Sequence, residues 1–223
     1  MCIKYGEFLL SKMTVCLRLH NNHHHRTPCV LSSVLDHCNS KQMFAITRDA
    51  VEELLQAVDR GTQEWLILTL RALLSFVTAV GKWYHDVVPE EIEFDENEPD
   101  KKPPKPAFVE VLNHILKRTK HLLFSPHIPV LLVALNIVDV ALADLRNFPD
   151  DHLPMIHQNW PAILNIMQNK NLNARVSAFQ VCSVFFCIFF VSHLKKFFFQ
   201  GHERSEIFKI HDFLEIIRNA DLM

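Results

Sequence analysis

Glycine is scarce in this 223-residue chain: Gly6, Gly61, Gly81 and Gly201 are the only four. Loops that cradle phosphate draw several glycines close together, so P-loop and dinucleotide-binding motifs are absent. Six cysteines occur (Cys2, Cys16, Cys29, Cys38, Cys182 and Cys187), with no CxxC pair and no framework spacing. A disulfide scaffold is thereby excluded, and reduced thiols in a cytosolic protein are expected. Neither charge is in excess, since the formal net charge is −2. A nucleic-acid partner requires Lys and Arg clustered against phosphates, so none is expected. The N-terminus has only Phe8-Leu9-Leu10 as an apolar patch, too short for a signal-peptide core. The expected compartment is the cytoplasm, with the nucleus as a second.

What the chain does have is apolar residues, 49% of the total, at helical spacing. Leu153, Ile156, Trp160, Leu164 and Met167 predict one apolar helix face. Asn169, Lys170, Asn171 and Asn173 interrupt it with turn-forming side chains, and a second helix follows through Val176, Ala178 and Phe179. The same layout occurs earlier. Ser125 to Val138 lies over Asn169 to Cys182, matching Ile128 with Leu172, Leu132 with Val176, Ala134 with Ala178, and Ile137 with Val181. The offset is 44 residues, inside the roughly 40–47 of HEAT and armadillo helical pairs. With no strand punctuation anywhere, the expected fold is all-α: an α-α superhelix, a HEAT/armadillo-like solenoid.

Two segments resemble a known family. HLPMIHQNWPAIL followed by NARVSAFQV, and separately RTPCVLSSVL within Leu17 to Leu35, are similar to the C-terminal region of the Tti-one (Tel-two-interacting protein one) family. The resemblance covers about residues 15–181 and fails after Val181. It implies a HEAT-repeat scaffold, the large subunit of the Tel-two–Tti-one–Tti-two (TTT) cochaperone complex. Its implied partners are the Tel-two and Tti-two subunits, the phosphatidylinositol-3-kinase-related kinases (PIKKs), and heat-shock chaperone machinery. It carries no catalytic residue, cofactor or metal ligand over to this chain.

Four segments are expected. Residues 1–87 form an N-terminal helical block, 88–106 an acidic and proline-rich linker, 107–185 HEAT-like pairs, and 186–223 an atypical tail. Residues 1–16 show no clear pattern and read as the start of a gene model inside a longer protein. In the first block, Thr47 or Asp49 is suited to cap a helix carrying Val51, Leu54, Leu55 and Val58, with Gly61 just past its end. Trp65 to Val80 is apolar almost all round, as a helix buried between neighbours would be. The linker runs from Glu90, Glu91, Glu93, Asp95, Glu96, Glu98 and Asp100 into Lys101-Lys102-Pro103-Pro104, a solvated composition. Asn147 to Asp151 reads as a turn, and Pro161 should kink the helix it interrupts.

Candidate chemistry is thin. His23, His24 and His25, with Cys29, His37 and Cys38 near in sequence, are ligand types zinc accepts, but three adjacent histidines cannot all face one ion. Cys29 or Cys38 beside a histidine would suit a reactive thiolate, on proximity alone. His157, next to Trp160, reads as a packing residue, and Arg175 as a structural arginine bonded to a neighbouring loop. The expectation is no catalytic, cofactor or metal site, hence a non-enzyme. The apolar run Val184 to Val191 is shorter than the ~20 residues a membrane helix needs, so a membrane anchor is disfavoured. Because the resemblance stops at Val181, and Val-Cys and Phe-Phe-Phe-Gln match splice-junction codons, part of the tail, residues 181–200, reads as translated intron.

Overall fold

Proline marks several helix starts. The computed structural model describes residues 2–19, 26–60, 63–88 and 105–183. In it Pro28, Pro129 and Pro149 each occupy the first or second position of a helix, where a missing N–H costs no intrahelical bond. The helices are α1 (Cys2–Leu19), α2 (Thr27–His37), α3 (Gln42–Arg60), α4 (Gln63–Tyr84), α5 (Ala107–Thr119), α6 (Ile128–Asp144) and α7 (Pro149–Met167). A further helix, α8, spans 172–183. Short 3-10 turns, Lys120–Phe124 and Leu145–Asn147, continue α5 and α6. Among the described residues there is no strand.

The packing order defines the architecture. The odd helices stack in one row, α1 on α3, α3 on α5 and α5 on α7. The even helices stack in a second row, α2 on α4 and α4 on α6. Neighbours in sequence pair across the rows as α1/α2, α3/α4 and α5/α6. Contacts between i and i+2 helices, repeated along two rows, are what a helical-pair solenoid requires. The all-α superhelix expected from the sequence is therefore observed. Residues Met1–Phe185 belong to one compact unit. Phe186–Met223 belong to another, which lies outside the described residues, as do Gly61, His23 to His25 and the run Val184 to Val191.

Each row has a burial logic. In α4 the side chains of Leu70, Ala72, Leu73, Phe76, Val77 and Val80 are fully buried, because α2 and α6 flank this helix and α3 backs it. That is the environment its apolar composition predicts. In α6, Val130, Leu131, Ala134, Leu135, Ile137, Val138, Ala141 and Leu142 are buried in the same way. The matched small residues Ala134 and Ala178 are both completely buried, as are Ile137 and, nearly, Val181. The front of that match behaves differently: Leu172 is 62% and Val176 48% exposed, although Ile128 and Leu132 are half-buried.

The helix boundaries correct several expectations. Residues 1–16 are not patternless, because all but Met1 lie in α1. Thr47 is not a cap: α3 begins at Gln42, and the buried Thr47 hydroxyl donates back to the Met43 and Phe44 carbonyls at 2.8 and 3.1 Å. Nor does the turn expected at Asn147 to Asp151 extend through its last three residues. Pro149 opens α7, with Asp150 and Asp151 in its first turn, where carboxylates favour the helix dipole. Pro154 and Pro161 both lie inside α7 on its solvent side. The carbonyls they leave unbonded therefore face water, so the helix continues through both prolines.

Candidate binding surface

Among the described residues the candidate thiols and histidines form no catalytic constellation. Among the described residues no three of His, Cys, Asp and Glu come together as a metal set would. No disulfide joins Cys16, Cys29, Cys38 or Cys182. Cys29 is exposed on α2, and its carbonyl accepts from Ser33 Oγ at 3.1 Å. His37 Nδ1 lies 2.7 Å from the Ser33 carbonyl, a local bond along the helix surface. Cys38 is half-buried, and its carbonyl accepts from the indole Nε1 of Trp83 at 3.1 Å. That last bond ties the end of α2 to α4, and none of these contacts makes a nucleophile–base pair.

Two further residues stand differently from expectation. His157 is exposed, on the solvent face between Pro154 and Pro161, so it is not a packing histidine. The buried one is His152, 2% exposed on the inward face of α7, where burial pushes its imidazole down to about 4. Arg175 is half-buried, and its guanidinium makes no hydrogen bond or ion pair among the described residues. Burial also pushes the Cys182 thiol up to about 12, beside Met167 sulfur at 3.8 Å, which makes it a packing group between α7 and α8.

The polar groups instead lock successive pairs together. Arg18 on α1 pairs with Glu53 on α3, and Arg118 on α5 with Asp59 on α3. His114 on α5 reaches Glu52 at 3.3 Å. Asp151 in α7 accepts from Lys105 at 2.7 Å and from Asn113 Nδ2 at 2.9 Å. Asn147 Nδ2 donates to the Val87 carbonyl at 3.3 Å. Val87, next to the described end before 89–104, and Lys105, just after it, are thus both fastened beside the α6–α7 corner. Across this segment α4 packs on α6, and α3 on α5.

An aromatic chain crosses the same boundary. Phe44 contacts Phe76 and Tyr84, Tyr84 stacks on Phe108 at 4.5 Å between centroids, and Phe108 meets Phe148 edge-on at 5.5 Å. Such pairs add about 0.5–1.5 kcal/mol each beyond their area. Sequence reading missed this chain, since its members come from widely separated segments and share no period.

The described residues present a two-row helical stack with locked pairs. The molecule is an α-α superhelix of the scaffold class. A family model described as the TTI1 C-terminal TPR domain matches residues 73–192. The chain belongs to the Tti1 family. It is 27% identical over 94 residues to the human TELO2-interacting protein 1 homolog, covering 42% of this chain and 9% of that protein. The mouse homolog matches over 89 residues at 26% identity, covering 39% of this chain and 8% of that protein. The chain therefore spans under a tenth of the curated relatives it matches.

The matched interval adjusts the sequence reading at both ends. It starts inside α4, leaving out the RTPCVLSSVL segment on α2, and it runs on to residue 192, past Val181. The family likeness does not stop where the intron reading placed its break. The family's description calls the domain TPR rather than HEAT. Both are helical pairs, although the 44-residue offset exceeds the roughly 34 residues of a TPR.

Proposed function

We propose that this chain acts as a non-catalytic scaffold in the TTT cochaperone complex. In that role its helical stack holds the Tel-two and Tti-two subunits and supports folding, stability and assembly of PIKKs together with heat-shock chaperone machinery. The observation that carries this is the family match across α4 to α8. The names of the human and mouse relatives, which describe interaction with TELO2, support the first partner. The proposed setting is the cytoplasm, with the nucleus as a second compartment. A rigid stack suits holding: successive pairs are fixed by ion pairs and the aromatic chain, so partners docked on different pairs keep a fixed spacing.

The test is co-precipitation of tagged 1–223, and of 1–180, with Tel-two and Tti-two subunits of the same organism. Binding is expected for at least one of the two. Folded helix by circular dichroism with no binding of either subunit would refute the proposal and leave a general helical adaptor.

A further inference from the structure

Serine or threonine precedes proline twice in this sequence, at Thr27-Pro28 and at Ser125-Pro126, and the fold treats the two pairs differently. Thr27 is the first residue of α2, and Pro28 beside it is buried. The Val30 N–H donates to the Arg26 carbonyl at 3.1 Å, which closes a helical turn around the pair. Ser125 instead follows the 3-10 turn Lys120–Phe124 and is extended, with φ −62° and ψ 134°. Proline favours that conformation in the residue before it. Pro126 and His127 are exposed, and Phe124 on the other side is 55% exposed. Ser125 itself is half-buried, and its Oγ accepts from the His127 N–H at 3.2 Å in a bond open to solvent.

We propose that Ser125 is a phosphorylation site for a proline-directed protein kinase. Such an enzyme can select proline because proline has no N–H: a pocket without an acceptor leaves the amide of any other residue unpaired. It needs the pair extended and open at the surface, which Ser125-Pro126 is and Thr27-Pro28 is not. Lengthening the extended stretch toward Phe124 breaks one bond, Ser125 N–H to the Leu122 carbonyl at 3.0 Å. That bond ends a 3-10 turn, where hydrogen-bond geometry is poor, and Leu122 and Leu123 remain as buried anchors. In the transfer the Ser125 oxygen bonds to the γ-phosphorus of a nucleoside triphosphate and the nucleoside diphosphate leaves. The hydroxyl proton passes to the catalytic carboxylate of the kinase. The surroundings accept the new charge. Between Glu110 and Asp139 the sequence has no acidic residue, while Lys117, Arg118 and Lys120 precede Ser125; a phosphate disrupts where carboxylates adjoin it. Helix α6 starts three residues on, with no acidic residue in its first turn, so its dipole meets the phosphate with favourable sign.

The experiment incubates the full chain with ATP and a purified proline-directed kinase, and maps the phosphate by tandem mass spectrometry. A synthetic peptide of residues 121–129, run beside it, reads the same sequence without the fold. Phosphate should enter Ser125 at least about tenfold faster than Thr27, because Thr27 is reached only by opening the first turn of α2. Pro126→Ala should slow the reaction at Ser125 by about tenfold or more, since the new N–H is left unpaired in the kinase. Ser125→Ala should remove the label, and Thr27→Ala should leave the Ser125 rate unchanged. Absence of phosphate from Ser125 in the chain overturns the proposal. With the peptide labelled, the fold hides the loop; with the peptide bare, the sequence is no substrate. Equal rates at Thr27 and Ser125 overturn it too, because the fold then makes no choice between the pairs. An unchanged rate in Pro126→Ala does the same by removing the role of proline.

Discussion

Between pH 4 and 6.5 two buried groups should pull the stability of this protein in opposite directions, and single substitutions should unmask each. Asp144, at the end of α6, sits against Gly81 of α4, and its Oδ2 has no hydrogen-bond partner among the described residues. Burial raises its carboxyl from 3.8 to about 7, with Arg146 pulling it slightly back. Between those values the native state holds a proton that the unfolded chain has released. Stability is therefore lost as pH rises through this window, by roughly 4 kcal/mol in all at about 1.36 kcal/mol per pH unit. His152 is the reverse case. Burial lowers it from 6.5 to about 4, so the unfolded chain takes up the proton first. Stability is then lost as pH falls from 6.5 through 4, by roughly 3 kcal/mol. The two slopes nearly cancel between 4 and 6.5. In urea titrations at half-unit steps, Asp144→Asn should give a profile that climbs with pH relative to wild type. His152→Leu should give one that descends. Other ionisable groups, including Asp139, which burial also raises, are common to every variant and drop out of the difference. Difference profiles that stay level across this range would refute the burial argument for both sites.

Further outcomes follow from the same packing. A methyl group on Gly81 would fall on the Asp144 carboxylate closer than van der Waals contact, so Gly81→Ala should cost about 1–3 kcal/mol. Adding Asp144→Ala should recover part of that in a double-mutant cycle. Phe108→Ala removes the link between Tyr84 and Phe148, and should destabilise by about 3–5 kcal/mol in chemical denaturation. Thr47→Val should change stability by less than about 1 kcal/mol, because the helix ladder keeps the Met43 and Phe44 carbonyls bonded; the loss expected of a cap residue would contradict the mid-helix placement. In peptide-mapped alkylation at neutral pH, Cys29 should label quickly and Cys182 only after denaturation, since one is exposed and the other buried with its thiol pushed up to about 12.

The parts legible in the sequence are those where one helix face is buried and the other solvated. Helices α3 and α5 show that contrast: Val51, Leu54, Leu55 and Val58, then Phe108, Val111, Leu112, Ile115 and Leu116, are all buried. Helix α1 defeated the same reading because its apolar residues belong to two opposed stripes, Leu10, Met13 and Leu17 inside and Tyr5, Phe8 and Val15 outside. Their superposition has no single phase. Thr47 misled because a hydroxyl that can cap a helix can equally bond back within one. His152 and His157 differ only in which side of α7 faces the α5 row, and that is settled by tertiary packing. The aromatic chain and the Gly81–Asp144 contact depend on pairings far apart in sequence, which no local pattern announces.

Hydropathy alone would have misplaced the two central helices. Trp65–Tyr84 and Ile128–Asn147 are long and apolar enough to cross a membrane. The stack gives a different cause. Each of these helices packs on the other and on partners from the odd row, so apolar residues are required around most of its circumference. Only a narrow outer strip is left, and there α4 exposes Arg71 and Lys82 while α6 exposes Asn136. Near a bilayer centre cations such as Arg71 and Lys82 would cost roughly 2.5–3.5 kcal/mol each; on the outer strip of a helical stack they stay in water and carry no such penalty. Two mutually packed helices, each apolar except along one outward strip, are the inner pair of a superhelix row.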